Sequence, residues 1–188
     1  MIETIEKFEI SKKNNVAYDK FFLRFVTNNI GEMCEFAVKV MGYPLDLFLG
    51  MFAKSFVGKR LGEGDPIIMN GKVGTELAYE VEREFKGCIV FRGHEIPGFS
   101  KENPIFQFGR SLAYCQWYMN RSYEDILSYA TVYELFDIYL SMKAESIDLY
   151  CQRVAGLITQ RTFENSIAYV SWQSIGEYEM EKKRLCLE

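Results

Sequence analysis

The chain holds a single histidine, His94, in the segment Arg92-Gly93-His94-Glu95. An imidazole between a guanidinium and a carboxylate is the raw material of proton transfer. The segment is therefore a candidate edge of a ligand or catalytic pocket. A hydrolytic triad would also need a serine or cysteine in an elbow motif, and none is present. A metal site would need more imidazoles or clustered thiols. The cysteines stand at 34, 88, 115, 151 and 186. They are odd in number and far apart, so they read as buried free thiols in a reducing compartment. Gly62-x-Gly64 lacks the third glycine and the Lys-Ser/Thr pair of a phosphate cradle and reads as a turn. Glu80 and Glu84 share a helix face with Arg83 and Lys86 and read as a solvated, neutralised edge. No catalytic residue, metal ligand or cofactor is expected. Tyr114, Trp117 and Tyr118 span adjacent turns of one helix. They are the candidate packing seam or partner-binding face.

The elements that would carry these residues follow from patterning. The 188 residues are 48% hydrophobic, enough for a sizeable core and too many for a disordered regulator. The net charge of −4 supplies no global field for nucleic acid. No apolar run reaches the length of a membrane span, and residues 1–10 alternate charge with single apolar residues, unlike a signal peptide. A cytoplasmic protein with no membrane contact is expected.

Residues 1–30 read as an N-terminal arm, although Phe21, Phe22, Phe25 and Val26 already fall at helical spacing. Gly31 to Met41 predicts a helix, ended by Gly42-Tyr43-Pro44. Asp46 is placed to cap the next helix, Leu47 to Phe56, with Phe48, Met51, Phe52, Ser55 and Phe56 inward. Residues 58–74 are rich in turn formers and read as a loop. A helix opens at Gly74-Thr75, with Leu77, Ala78, Val81 and Phe85 as its stripe. Cys88 to Phe91 is β-prone, and 92–103 reads as a loop. Pro104 suits the first turn of a long helix to Met119, ended by Asn120. Ser122 and Thr131 are helix caps, the second in a capping box with Glu134. A final helix is expected over 146–156, closed by Gly156. The fold class is mainly α, with at most one or two short strands. Its parts would be an arm (1–30), a helical domain (31–142) and a tail (143–188).

Two stretches carry a resemblance. One is Gly31-Glu32-Met33-Cys34-Glu35-Phe36-Ala37-Val38, then Asp46-x-Phe48, Gly64-Asp65-Pro66 and Gly74-Thr75-Glu76-Leu77-Ala78. The other is Gly109-x-x-Leu112-Ala113-Tyr114-Cys115-Gln116-Trp117-Tyr118, then Arg121-Ser122-Tyr123. They resemble a family of uncharacterised bacterial proteins whose helical region precedes a phage-repressor-type (Xre) helix-turn-helix. Genes of that family lie near toxin-like genes, some resembling ADP-ribosyltransferases. In the tail, Tyr150, Ala155-Gly156-Leu157, Thr159-Gln160 and Ser174-Ile175-x-x-Tyr178-Glu179 stand in the order of such a domain. Gly156 would end its first helix and Thr159 cap its second. The usual turn glycine is absent, and the last two of the usual five helices have no sequence to form them. Residues 143–188 carry six basic and seven acidic side chains. The tail is thus a degenerate, truncated helix-turn-helix, with Trp172 and Gln173 as its candidate DNA-reading residues.

The resemblance implies a non-enzymatic, antitoxin-like or regulatory protein that binds a protein partner such as an ADP-ribosyltransferase-like toxin, with a homodimer also open. Two alternatives stay open. One is a small-ligand binder or enzyme using Arg92, His94 and Glu95. The other is a DNA-binding regulator, against which the acidic balance of the tail argues.

Overall fold

The computed structural model describes residues 18–87, 102–142 and 145–165. Among them the chain is mainly α and contains no strand. Asp19 starts the first turn: its carboxylate accepts the Phe21 N–H at 2.7 Å, and a 3₁₀ turn, Lys20–Phe22, leads into helix α1, Leu23–Lys39. The helix expected from Gly31 therefore begins at Leu23, and the arm expected over 1–30 ends inside a core element. Val26, Ile30, Met33, Cys34 and Ala37, at i, i+4, i+7, i+8 and i+11, are each fully buried.

Helix α2, Leu45–Lys54, follows a turn at Gly42, whose φ of 75° favours glycine. Pro44, not Asp46, is its N-cap residue, and Asp46 sits in its first turn. The chain does not stay helical to Phe56. Ser55 is extended, its hydroxyl donating to Phe52 O and accepting from Gly58 N at 3.0 Å, and it starts helix α3, Phe56–Gly62. That break turns Phe56 out to 62% exposure, against its expected inward place.

Where a loop was expected over 58–74, Asp65 caps a further short helix, α4, Pro66–Gly71. The turn formers there act as caps: Asp65 accepts from Ile67 N, and Pro66 fills the first helical position. Val57, Leu61, Ile68 and Met69 supply the burial that holds both short helices down. Helix α5, Gly74–Lys86, ends at Gly87 with φ 70°. Its Leu77, Ala78 and Val81 are buried, but Phe85 is 47% exposed, one turn beyond the contact.

Helix α6, Pro104–Met119, is capped by Asn103 and stopped by Asn120 in the left-handed region, as the sequence predicts for its end. Helices α7, Tyr123–Tyr129, and α8, Val132–Ser141, begin at Ser122 and Thr131, with the Thr131–Glu134 capping box formed. Helix α9 spans 147–165 without a break at Gly156. Thr159 lies inside it, its hydroxyl donating to Ala155 O at 2.8 Å, so neither residue makes the expected turn and cap. Tyr150, Cys151, Val154 and Ile158 bury its inner face.

The centre of the molecule is α1, held between α6 and α5. Its contacts with α6 run antiparallel: Tyr18 meets Trp117, Gly31 meets Phe106 and Arg110, and Glu35 meets Asn103. Its contacts with α5 run parallel: Asn29 bonds Lys72 O, Glu32 approaches Gly74, and Phe36 packs edge-on against Tyr79. The α1–α6 crossing is close because it is lined by glycine. A Cβ on Gly109 would stand 2.9 Å from Cys34 Sγ and from Ile30 O. Among the described residues no helix is long and apolar enough to cross a membrane.

Candidate functional site

Tyr114, Trp117 and Tyr118 face three different environments. Trp117 is half-buried, and its indole N–H donates to Tyr18 O at 2.9 Å, tying the start of the described chain to the end of α6. Tyr114 packs against Trp117 with ring centroids 5.8 Å apart, and its hydroxyl donates to Asp148 at 3.0 Å. Burial and that carboxylate push its phenol up to about 12. These two rings thus stitch α6 to both the N-terminal turn and α9. Tyr118, 43% exposed, is the member of the cluster that faces solvent. Phe21, in the turn before α1, and Phe25, in its first turn, are 74% and 55% exposed.

The carboxylates arrange differently from the expected solvated edge. Glu84 accepts the Phe56 N–H at 2.8 Å and so serves the N-terminus of α3. Glu80 is engaged by Lys72 and, at 3.8 Å, by Arg83. Lys86 pairs with Glu82 instead, at 3.4 Å. Sequence reasoning passed over two buried acids. Glu82 is fully buried and accepts from the Tyr43 hydroxyl at 3.0 Å. Glu35 is 1% exposed and accepts from Lys39 at 2.6 Å and Asn103 at 2.7 Å. The signal was present: each lies on an apolar stripe with lysine four residues on, where a buried carboxylate can be reached by a snorkelling ammonium. Each pair stands near the C-terminal end of its helix, and Asn103 at the start of α6 joins the Glu35 pair. Lys86 also lies over the Tyr43 ring at 4.7 Å, and its bond with the Tyr43 hydroxyl raises its pKa.

Cys34, Cys115 and Cys151 are buried free thiols. Burial pushes Cys34 up to about 12. Cys115 is raised by its hydrogen bond with Cys151 and by burial. Protonated thiols of this kind are poor nucleophiles. Among the described residues no group of three His, Cys, Asp or Glu side chains could hold a metal ion.

Helix α9 is clamped from the other side. Arg161 donates to Tyr129 O and to both carboxylate oxygens of Glu134, the partner of Thr131 in the capping box of α8. The guanidinium and the Thr131 bonds hold Glu134 well below its ordinary 4.5, at about 2.

Between α6, the end of α8 and the start of α9 lies a cleft of about 670 Å³. Its walls include Ser111, Tyr139, Met142, Glu145, Ile147 and Tyr150. Tyr139 and Tyr150 meet edge to face at 6.4 Å.

Arg92, His94, Glu95, Trp172, Gln173, Cys88, Cys186 and the β-prone run at 88–91 lie outside the described residues, as does the rest of the expected helix-turn-helix. No family model, no curated protein and no solved structure matches the chain.

Proposed function

We propose that the protein acts by binding another protein, in an antitoxin-like or regulatory role, through the exposed rings of Phe21 and Phe25. The observation that carries this reading is the exposure of Phe21 and Phe25, in the turn before the central helix and in its first turn. Exposed single apolar residues are common on any surface. Two phenylalanine rings on one face, anchored by a helix whose other face is wholly buried, are a rigid apolar anchor pair. Each ring gains about 1.5–3 kcal/mol if a partner covers it, and such rings are frequent centres of binding energy. The seam behind them supports the same use: Trp117 and Tyr18 fix the backbone from which they project. An ADP-ribosyltransferase-like protein encoded nearby is the partner class that the sequence resemblance favours.

The test is co-purification with the products of neighbouring genes, followed by calorimetry on the wild type and on Phe21→Ser/Phe25→Ser. The double variant should weaken binding at least a hundredfold while its melting temperature stays close to wild type. Unchanged affinity would remove this face from the reading. Absence of any protein partner would remove the reading itself.

A further inference from the structure

We propose that the surface at Phe21 and Phe25 takes an acidic, amphipathic segment of the protein partner: apolar side chains cover the rings, and carboxylates meet Lys20 and Arg24. This rests on the partner-binding reading and deepens it by naming the chemistry of the partner's face. The first observation behind it is what the surface exposes. Lys20, Phe21, Arg24 and Phe25 are all exposed, so each bare ring has a cation next to it in the chain. A cation beside an apolar anchor selects the sign of what covers it.

The second observation is that these cations are free. Lys39, Arg60, Lys86, Arg121 and Arg161 each hold a carboxylate of their own chain. Neither Lys20 nor Arg24 has an ion pair or a side-chain hydrogen bond among the described residues. The neighbouring Asp19 carboxylate accepts the Phe21 N–H at 2.7 Å. Residues 1–17, outside the described residues, carry three acidic and three basic side chains, which cancel.

The third observation is a conflict with the helix itself. The N-terminus of an α-helix carries partial positive charge and favours acids in its first turn. Helices α2, α5, α7 and α8 follow that rule with Asp46, Glu76, Glu124 and Glu134. The first turn of α1 holds no acid and carries Arg24, with Lys20 just ahead of it. Cations at that end oppose the helix dipole. One short segment thus breaks two local rules, ring burial and helix charge, as functional surfaces do. An acidic apolar ligand answers both; a neutral or basic one answers only the first. A second copy of the same surface would set Lys20 and Arg24 against their own equivalents.

The experiment is fluorescence anisotropy on the full chain with two labelled synthetic helical peptides. Both carry leucines at helical spacing; one has glutamate and the other lysine at every polar position. At low salt the glutamate peptide should bind at least about tenfold more tightly than its lysine twin, and the advantage should shrink as salt rises. Phe21→Ser/Phe25→Ser should weaken the glutamate peptide at least about tenfold. Lys20→Glu/Arg24→Glu should abolish or reverse the preference. Its melting temperature should equal or exceed wild type, because acids suit that end of the helix. Equal binding of the two peptides, no binding of the glutamate peptide, or a preference that survives Lys20→Glu/Arg24→Glu would each overturn the proposal. A co-purified partner that needs Phe21 and Phe25 yet ignores Lys20→Glu/Arg24→Glu would overturn it too, while leaving the partner-binding reading in place. A partner indifferent to both double variants would remove that reading as well.

Discussion

Glu82 and Trp117 show how differently a polar group and a ring hold this protein together. Removing the Glu82 carboxylate takes a buried acceptor from the Tyr43 hydroxyl, while the Lys86 ammonium keeps its reach to solvent. Losing a buried hydrogen-bond partner costs about 1–3 kcal/mol. Glu82→Ala should therefore fall in that range in urea denaturation, and no measurable cost would show the bond to be incidental. Trp117 is only half-buried, so Trp117→Ala should cost about 2–3 kcal/mol, less than a fully internal ring. The same variant should keep most of its partner affinity, because its indole serves Tyr18; loss of binding at unchanged stability would place Trp117 in the interface instead. At this scale the sequence was legible in part. The Tyr114–Trp117–Tyr118 cluster was visible from spacing, but which ring faces solvent depends on Tyr18 and Asp148, 99 and 34 residues from their partners. Glu35 and Glu82 were missed because a charged residue on a stripe reads as its edge until the opposing helix is known.

Helix ends were the most readable elements, because a cap is a contact within four residues. Asn120, Ser122 and the Thr131–Glu134 box all stand where the residue types place them. Helix extent was less readable. Gly31 looked like a start and Gly156 like a stop, since glycine is a poor helix former. In the structure Gly31 is inside α1 because α6 passes too close for a side chain: a Cβ there would stand 2.7 Å from Phe106 O. That distinction can be measured. Gly109→Ala, at the same crossing, should destabilise by about 1–3 kcal/mol through overpacking. Gly50→Ala, in α2 with nothing within 4 Å of its Cβ, should stabilise by about 0.5–1 kcal/mol through helix propensity. Equal effects at both sites would deny that the crossing is tight. The clamp on α9 has a pH signature. Glu134 has a folded pKa of about 2 against an ordinary 4.5, so its contribution is present above about pH 4.5 and is lost as pH falls toward 2. Both side chains are solvent-accessible, so the effect is that of a surface pair and weakens as salt rises. Glu134→Gln should flatten that part of an acid-unfolding curve, and an unchanged curve would count against the clamp.

Taken whole, the described residues bury one core that runs across positions 30 and 143. Val26 and Ile30 lie on one side of the first boundary and Tyr150, Cys151, Val154 and Ile158 beyond the second, all buried in the same core as Leu77 and Phe108. Deleting residues 146–188 would strip the last four from that core at about 1.5–3 kcal/mol for each large side chain. Against a typical total of about 5–15 kcal/mol, the shortened chain should lose its cooperative thermal transition. A sharp transition near the full-length temperature would make α9 an appendage. Composition could not reveal this, because the inner faces of α1 and α9 reach the core only through contacts distant in sequence. The placement of α1 also has a consequence during synthesis. Its apolar stripe is complete at Lys39, yet its principal neighbour, α6, ends 80 residues later at Met119. At ribosomal rates of about 5–20 residues per second, the nascent chain waits roughly 4–16 s for the cover that α6 gives that stripe. The first of the described helices is thus made long before its main neighbour.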